Sequence, residues 1–192
     1  TVLVVNDALL DEITAIVGES RVTFAPGYRI GRRDTDDDIA QLIGQAVAAA
    51  ASAETVVCFL GLPAHFESEG FDRTHLRLPD AQLRLIAAVA AANPRVVVVL
   101  VNGSTVEMAT WIDHAPTVLE CWLGGQAAGG GIADVLTGRV NPGGRLAETV
   151  PVRLEDVPST LNFPGDSGVV RYGEGIFIGY RAHDRLDQDV VF

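Results

Sequence analysis

Apolar residues recur along this chain in two rhythms: short solid runs, and stretches that return every third or fourth position. The solid runs are TVLVV (1–5), RVTFA (21–25), TVVCFLGL (55–62), RVVVVLV (95–101) and TVLECWL (117–123). β-Branched runs of this length predict strands buried on both faces of a sheet. The valine-rich fourth run is expected near the sheet's middle.

Helical spacing fills the gaps between them. Leu9, Leu10, Ile13 and Ile16/Val17 make one stripe over 7–17, with Gly18 just past its end. Positions 39, 42, 43, 46, 47 and 50 make a second, with Asp36–Asp38 at the start, where the helix dipole favours negative charge. Pro79 and Asp80 open a third, with Leu83, Ile86, Ala87 and Ala90 on one face. A short helix is predicted from NGS (102–104) to Trp111, with Ser104 as N-cap and Glu107 completing a capping box. A last helix follows the Gly-rich turn 124–131 and ends near Gly138. Strand and helix thus alternate five times, which predicts an α/β fold. The expected form is a three-layer α/β/α sandwich on a mostly parallel sheet of five to six strands, with helices on both faces and flavodoxin-like winding. Residues 139–192 read as an irregular Pro/Gly-rich extension, with an edge strand near 147–150. The length suits one domain over 1–192, large enough to bury about 70% of its unfolded surface.

Composition narrows the partners. A formal net charge of -11, with only 14 basic residues, argues against nucleic acid and against an anionic membrane surface. No apolar run is long enough to span a bilayer. Cys58 and Cys121 each sit inside an apolar run and are expected to be free, buried thiols. The four histidines are dispersed and no metal-ligand spacing occurs, so neither a metal nor a cofactor is expected. Both ends, TVLVV and DVVF, lie in apolar runs, and the expectation is a piece of a longer polypeptide.

Candidate chemistry concentrates in ESEGFDR (67–73), in the loop leaving the third predicted strand. Ligands of open parallel sheets bind beyond the carboxyl ends of the strands, so the position is favourable. Glu67, Glu69 and Asp72 repel one another, and Arg73 can hold one of them ionised, with Asp72 the natural partner. A glutamate is then left to carry a proton as general acid. Gly70 would let the chain turn sharply and present Glu69 outward. A solvated loop with an incidental ion pair is the bland alternative. The Gly-rich 124–131 segment lacks the P-loop and dinucleotide-binding patterns, and its glycines are expected to serve helix–sheet packing. No G-x-S-x-G surrounds Ser104, which argues against a serine nucleophile.

ESEGFDR, VVVVLVNGSTVEM, VLECWLGGQAAGGGIADVLTGRVNPGGRLAETVP and VRYGEGIFIGYR occur in this order. Together they resemble the second, α/β-sandwich domain of glycoside hydrolase family 3, the β-glucosidase family. The resemblance spans nearly the whole chain and is strongest over 55–181. It implies a retaining β-glycosidase whose (β/α)8 barrel domain, absent from this chain, supplies the aspartate nucleophile. The acid/base is then Glu69, with Glu67 the runner-up, and Asp72 and Arg73 as supporting residues. Tyr28 and Arg29, in the loop after the second predicted strand, would line the aglycone side of the pocket. The implied partners are a β-glucoside or oligosaccharide and the N-terminal barrel of the same polypeptide, docked on an exposed apolar face that also admits a homodimer. The isolated chain is expected to be inactive. NPGGRLA (141–147) departs from the family's usual N-P-S-G-R-L-P. The readings from other classes are a non-catalytic carbohydrate-binding or domain-interaction module, and a flavodoxin-like nucleotide or response-regulator domain, which fold analogy alone supports.

Overall fold

The computed structural model describes residues 7–29 and 35–192, so the predicted first strand (1–5) lies outside the described residues. Among the described residues three strands form one parallel sheet, β1 (Val56–Gly61), β2 (Val96–Val101) and β3 (Thr117–Glu120), in the order β1-β2-β3. Val56 pairs with Val96 and Val97 with Thr117, so the carboxyl ends of all three lie on one rim.

Two helices cover each face. Val56, Cys58 and Leu60 of β1, with Val96, Val98 and Leu100 of β2, point to α2 (Asp36–Ser52) and α3 (Asp80–Ala92). Their alternates Val57, Phe59 and Val99 meet α1 (Asp7–Val17) and α4 (Ala128–Leu136). The period-2 alternation of a strand therefore feeds two separate cores, as a three-layer sandwich requires. Ile86 is fully buried in the α2/α3 layer. Ile86→Ala should destabilise the chain by about 2–5 kcal/mol, read from urea unfolding. A loss under ~0.5 kcal/mol, the scale of a surface change, would contradict this packing.

Several local expectations hold. The acidic run does open α2, and Thr35 supplies the cap. Its Oγ1 accepts from the Asp38 N–H at 3.2 Å, while the Asp38 carboxylate accepts from the Thr35 N–H at 3.1 Å. Gly138 follows α4 with φ +75°. Both cysteines are free and Cys58 is buried as expected, but Cys121 is only half-buried; burial pushes their thiols up to about 12 and about 11.

Others need correction. Residues 22–27 form no strand: Val22 is extended, but no ladder pairs this segment among the described residues. α3 buries Gln82, Leu85, Ile86 and Val89, while Ala87 is exposed, so its inward face differs from the predicted stripe. No helix spans 104–111, where a single short turn follows at Ile112–His114. The Glu107 N–H goes instead to the Leu76 carbonyl (2.7 Å), tying this segment to the loop after β1. In the Gly-rich segment a Cβ at Gly124 would lie 2.7 Å from the Ala128 Cβ, whereas at Gly125, Gly130 or Gly131 it would meet nothing within 4 Å, so close packing accounts for Gly124 and not for these three. The edge strand near 147–150 reduces to an isolated antiparallel bridge between Pro151 and Val190. A short helix, α5 (Tyr180–Leu186), interrupts the irregular extension.

Candidate active site at the strand exits

The loop leaving β1 is anchored at its root. The side chain of Gln82 on α3 is buried, donates from Nε2 to the Gly61 carbonyl (2.8 Å) and accepts from the Gly61 N–H (3.1 Å). One amide thus satisfies both main-chain groups of the last strand residue. That explains why a polar residue occupies the inward face of α3, since a buried amide must find partners.

Beyond Gly61 the chain makes a turn at Pro63–Glu67 and then a tighter one at Ser68–Phe71, closed by the Phe71 N–H on the Ser68 carbonyl (3.2 Å). Gly70 has φ +73°, the left-handed conformation a turn needs at its third position and one that glycine adopts without strain. Glu69 occupies the second position, exposed at the apex. A small cleft of about 180 Å³ lies beside the turn, lined by His65, Phe66, Phe71, Arg73, Thr74 and His75.

The charges do not pair as neighbours. Asp72 is exposed and makes no ion pair with Arg73, which reaches across to the loop leaving β2. Arg73 Nη1 donates to Ser104 Oγ (3.0 Å) and to the Thr105 carbonyl (2.9 Å). Burial holds the guanidinium below its ordinary range, partly offset by the Glu67 carboxylate. Glu67 is half-buried, accepting from the Gly103 N–H (2.6 Å) and from the Ser104 hydroxyl (2.5 Å). The two glutamates therefore differ: Glu67 is engaged on both oxygens, and Glu69 stands clear of such ties.

The next exit holds a second polar group that sequence reasoning missed. Asn102, fully buried, donates to the Ser104 carbonyl (2.9 Å) and at longer range to Glu120 (3.4 Å). Glu120 also accepts from the Trp122 N–H (3.0 Å), where the chain turns with φ +50°. Burial pushes the Glu120 carboxyl up, hydrogen bonds from Trp122, Asn102 and Cys121 oppose that, and Glu148 adds to it. The apolar run TVLECWL hid this acid among strand residues, although a glutamate inside such a run is itself a signal.

Of the residues suggested for the aglycone side, Tyr28 is buried and donates its hydroxyl to the Phe59 carbonyl (3.2 Å), while Arg29 is exposed. A tyrosine so held packs against β1 and braces the sheet.

The sequence profile of the Glycosyl hydrolase family 3 C-terminal domain matches residues 2–180. Thermostable beta-glucosidase B of Acetivibrio thermocellus is 51% identical over 187 residues, 97% of this chain and 24% of that protein. An exo-alpha-(1->6)-L-arabinopyranosidase of Bifidobacterium longum is 48% identical over 90% of this chain and 22% of its own length. The crystal structure of a family 3 β-glucosidase from Bifidobacterium adolescentis superposes with a TM-score of 0.87 at 47% identity, covering 95% of this chain and 26% of that one. The chain thus spans about a quarter of the length of the relatives it matches.

Proposed function

This chain belongs to glycosyl hydrolase family 3, as a C-terminal domain, and we propose that it carries the general acid/base of a retaining β-glycosidase, with Glu69 in that role. The observation that carries this reading is the contrast within one loop. Glu67 is tied down by two donors, whereas Glu69 is exposed at the apex of a tight turn on the carboxyl rim of the sheet. A general acid must reach a glycosidic oxygen brought to it from outside, and Glu69 is the carboxyl so presented.

Retention needs two carboxyl groups about 5–5.5 Å apart across the scissile bond. On this reading the nucleophile comes from a (β/α)8 barrel domain of the same polypeptide. Glu69 first gives its proton to the departing oxygen as the nucleophile attacks the anomeric carbon. As a carboxylate it then takes a proton from water, which attacks the same carbon and frees the sugar.

An exposed apolar surface fits such a partner. Leu161 is 95% and Tyr172 90% exposed, and Phe163, Ile176, Phe177 and Ile178 in the same extension also face solvent. Apolar side chains so exposed support a docking surface in this extension.

Two proteins of nearly equal identity to this chain carry different sugars in their names, a β-glucosidase and an arabinopyranosidase. On this reading the domain contributes protonation of the glycosidic oxygen, and sugar choice lies with the barrel. If the whole enzyme is a retaining β-glucosidase, the intact polypeptide should cleave an aryl β-glucoside and release the β-anomer first, followed by proton NMR within the first turnovers. Release of the α-anomer first would rule out the retaining mechanism.

A further inference from the structure

Ser104 joins both legs of the loop that presents Glu69. The incoming leg reaches it through Glu67, whose carboxylate accepts the Ser104 O–H at 2.5 Å. The outgoing leg reaches it through Arg73, whose Nη1 donates to the same oxygen at 3.0 Å. One hydroxyl serves as donor to one leg and acceptor to the other, which its single proton and two lone pairs allow. The clasp is reinforced by the Gly103 N–H on the second oxygen of Glu67 and by the Thr105 carbonyl on Arg73. Its own footing is rigid, because buried Asn102 fixes the 102–104 turn through the Ser104 carbonyl.

The fit at Gly103 is close. A Cβ there would lie 3.1 Å from Glu67 Oε2 and 3.2 Å from its Cδ, so any side chain would push the carboxylate away. Carboxylate and guanidinium hydrogen bonds are stronger than neutral ones. At this exposed rim they add little to global stability, and what they do fix is the path of the turn between them.

We infer that Glu67 and Ser104 are positioning residues: with Arg73 they clasp the loop after β1 onto the loop after β2 and so set where Glu69 stands. The inference rests on the reading of Glu69 as the acid/base. It gives the neighbouring glutamate a separate task, so Glu67 is no second acid.

The test uses the intact polypeptide with Ser104→Ala, Glu67→Ala, both together, and Ser104→Thr, which keeps the hydroxyl. Amide hydrogen exchange at Gly103 and over 66–73 should rise at least about tenfold in each Ala variant, with the folding midpoint nearly unchanged. For a glucoside with a poor leaving group, kcat should fall by up to about 10²-fold, the scale of a misplacement near 1 Å, with KM little altered. The double variant should be no worse than the more impaired single, since both changes break one clasp. Ser104→Thr should restore most of the rate. The inference is overturned if exchange in these loops is unchanged, if the two losses multiply, or if exchange rises while kcat stays at the parent value. Glu69→Gln, measured alongside, judges the acid assignment separately, because its effect on leaving-group dependence does not require the clasp.

Discussion

In the intact polypeptide, Glu69→Gln should lower kcat/KM for a glucoside with a poor leaving group, such as an alkyl alcohol, by about 10²–10⁴-fold, the range proton transfer contributes. The same change should cost far less with an activated leaving group such as dinitrophenolate. kcat/KM reports the first bond-breaking step, and an oxygen that leaves as a stable anion needs little proton donation in that step. Glutamine fills nearly the same volume at an exposed turn, so the fold around Ser68–Phe71 should survive. Equal losses on both substrate types would move the assignment away from Glu69.

The second large effect is an absence of turnover. The 192-residue chain alone should hydrolyse an aryl β-glucoside no faster than buffer, forfeiting an acceleration of at least about 10⁶-fold. With the nucleophile proposed to lie on the barrel, the mechanism depends on the partner. Clear turnover by the purified chain, abolished by Glu69→Gln, would place a complete site on this domain.

The parts of the fold legible in sequence are those where local pattern and burial agree. β1 and β2 are solid β-branched runs because each strand faces a helical layer on both sides, so no polar alternation is permitted. α2 announced itself through its periodicity and acidic start. The inward face of α3 lies about one position away from the predicted stripe, and it includes Gln82, which an apolar-only stripe cannot contain because it is inward to complete the end of β1 with its amide. The helix expected at 104–111 failed for a related reason. Ser104 has the chemistry of an N-cap, but the Glu107 N–H that it would hold at N3 goes to the Leu76 carbonyl, a partner more than thirty positions away.

The candidate site shows the same boundary. That ESEGFDR forms a turn at a strand exit, and that Gly70 turns the chain at Glu69, follows from local residue types and from the loop's departure from a strand. The pairing of charges does not. Arg73 sits beside Asp72 in sequence, yet its partners are Ser104 and Thr105, more than thirty positions away, brought close only because β1 and β2 are parallel neighbours. Parallel order places successive strand exits side by side, and no spacing rule within one loop can register that.

The most direct test removes the carboxyl and supplies a nucleophile that needs no base. In the intact polypeptide, azide should restore turnover of an activated aryl β-glucoside by Glu69→Ala and yield the β-configured glycosyl azide, because azide enters through the space the acid/base vacated. Glu67→Ala, whose acid/base remains in place, should show no such rescue. Rescue of Glu67→Ala with none for Glu69→Ala would contradict the account.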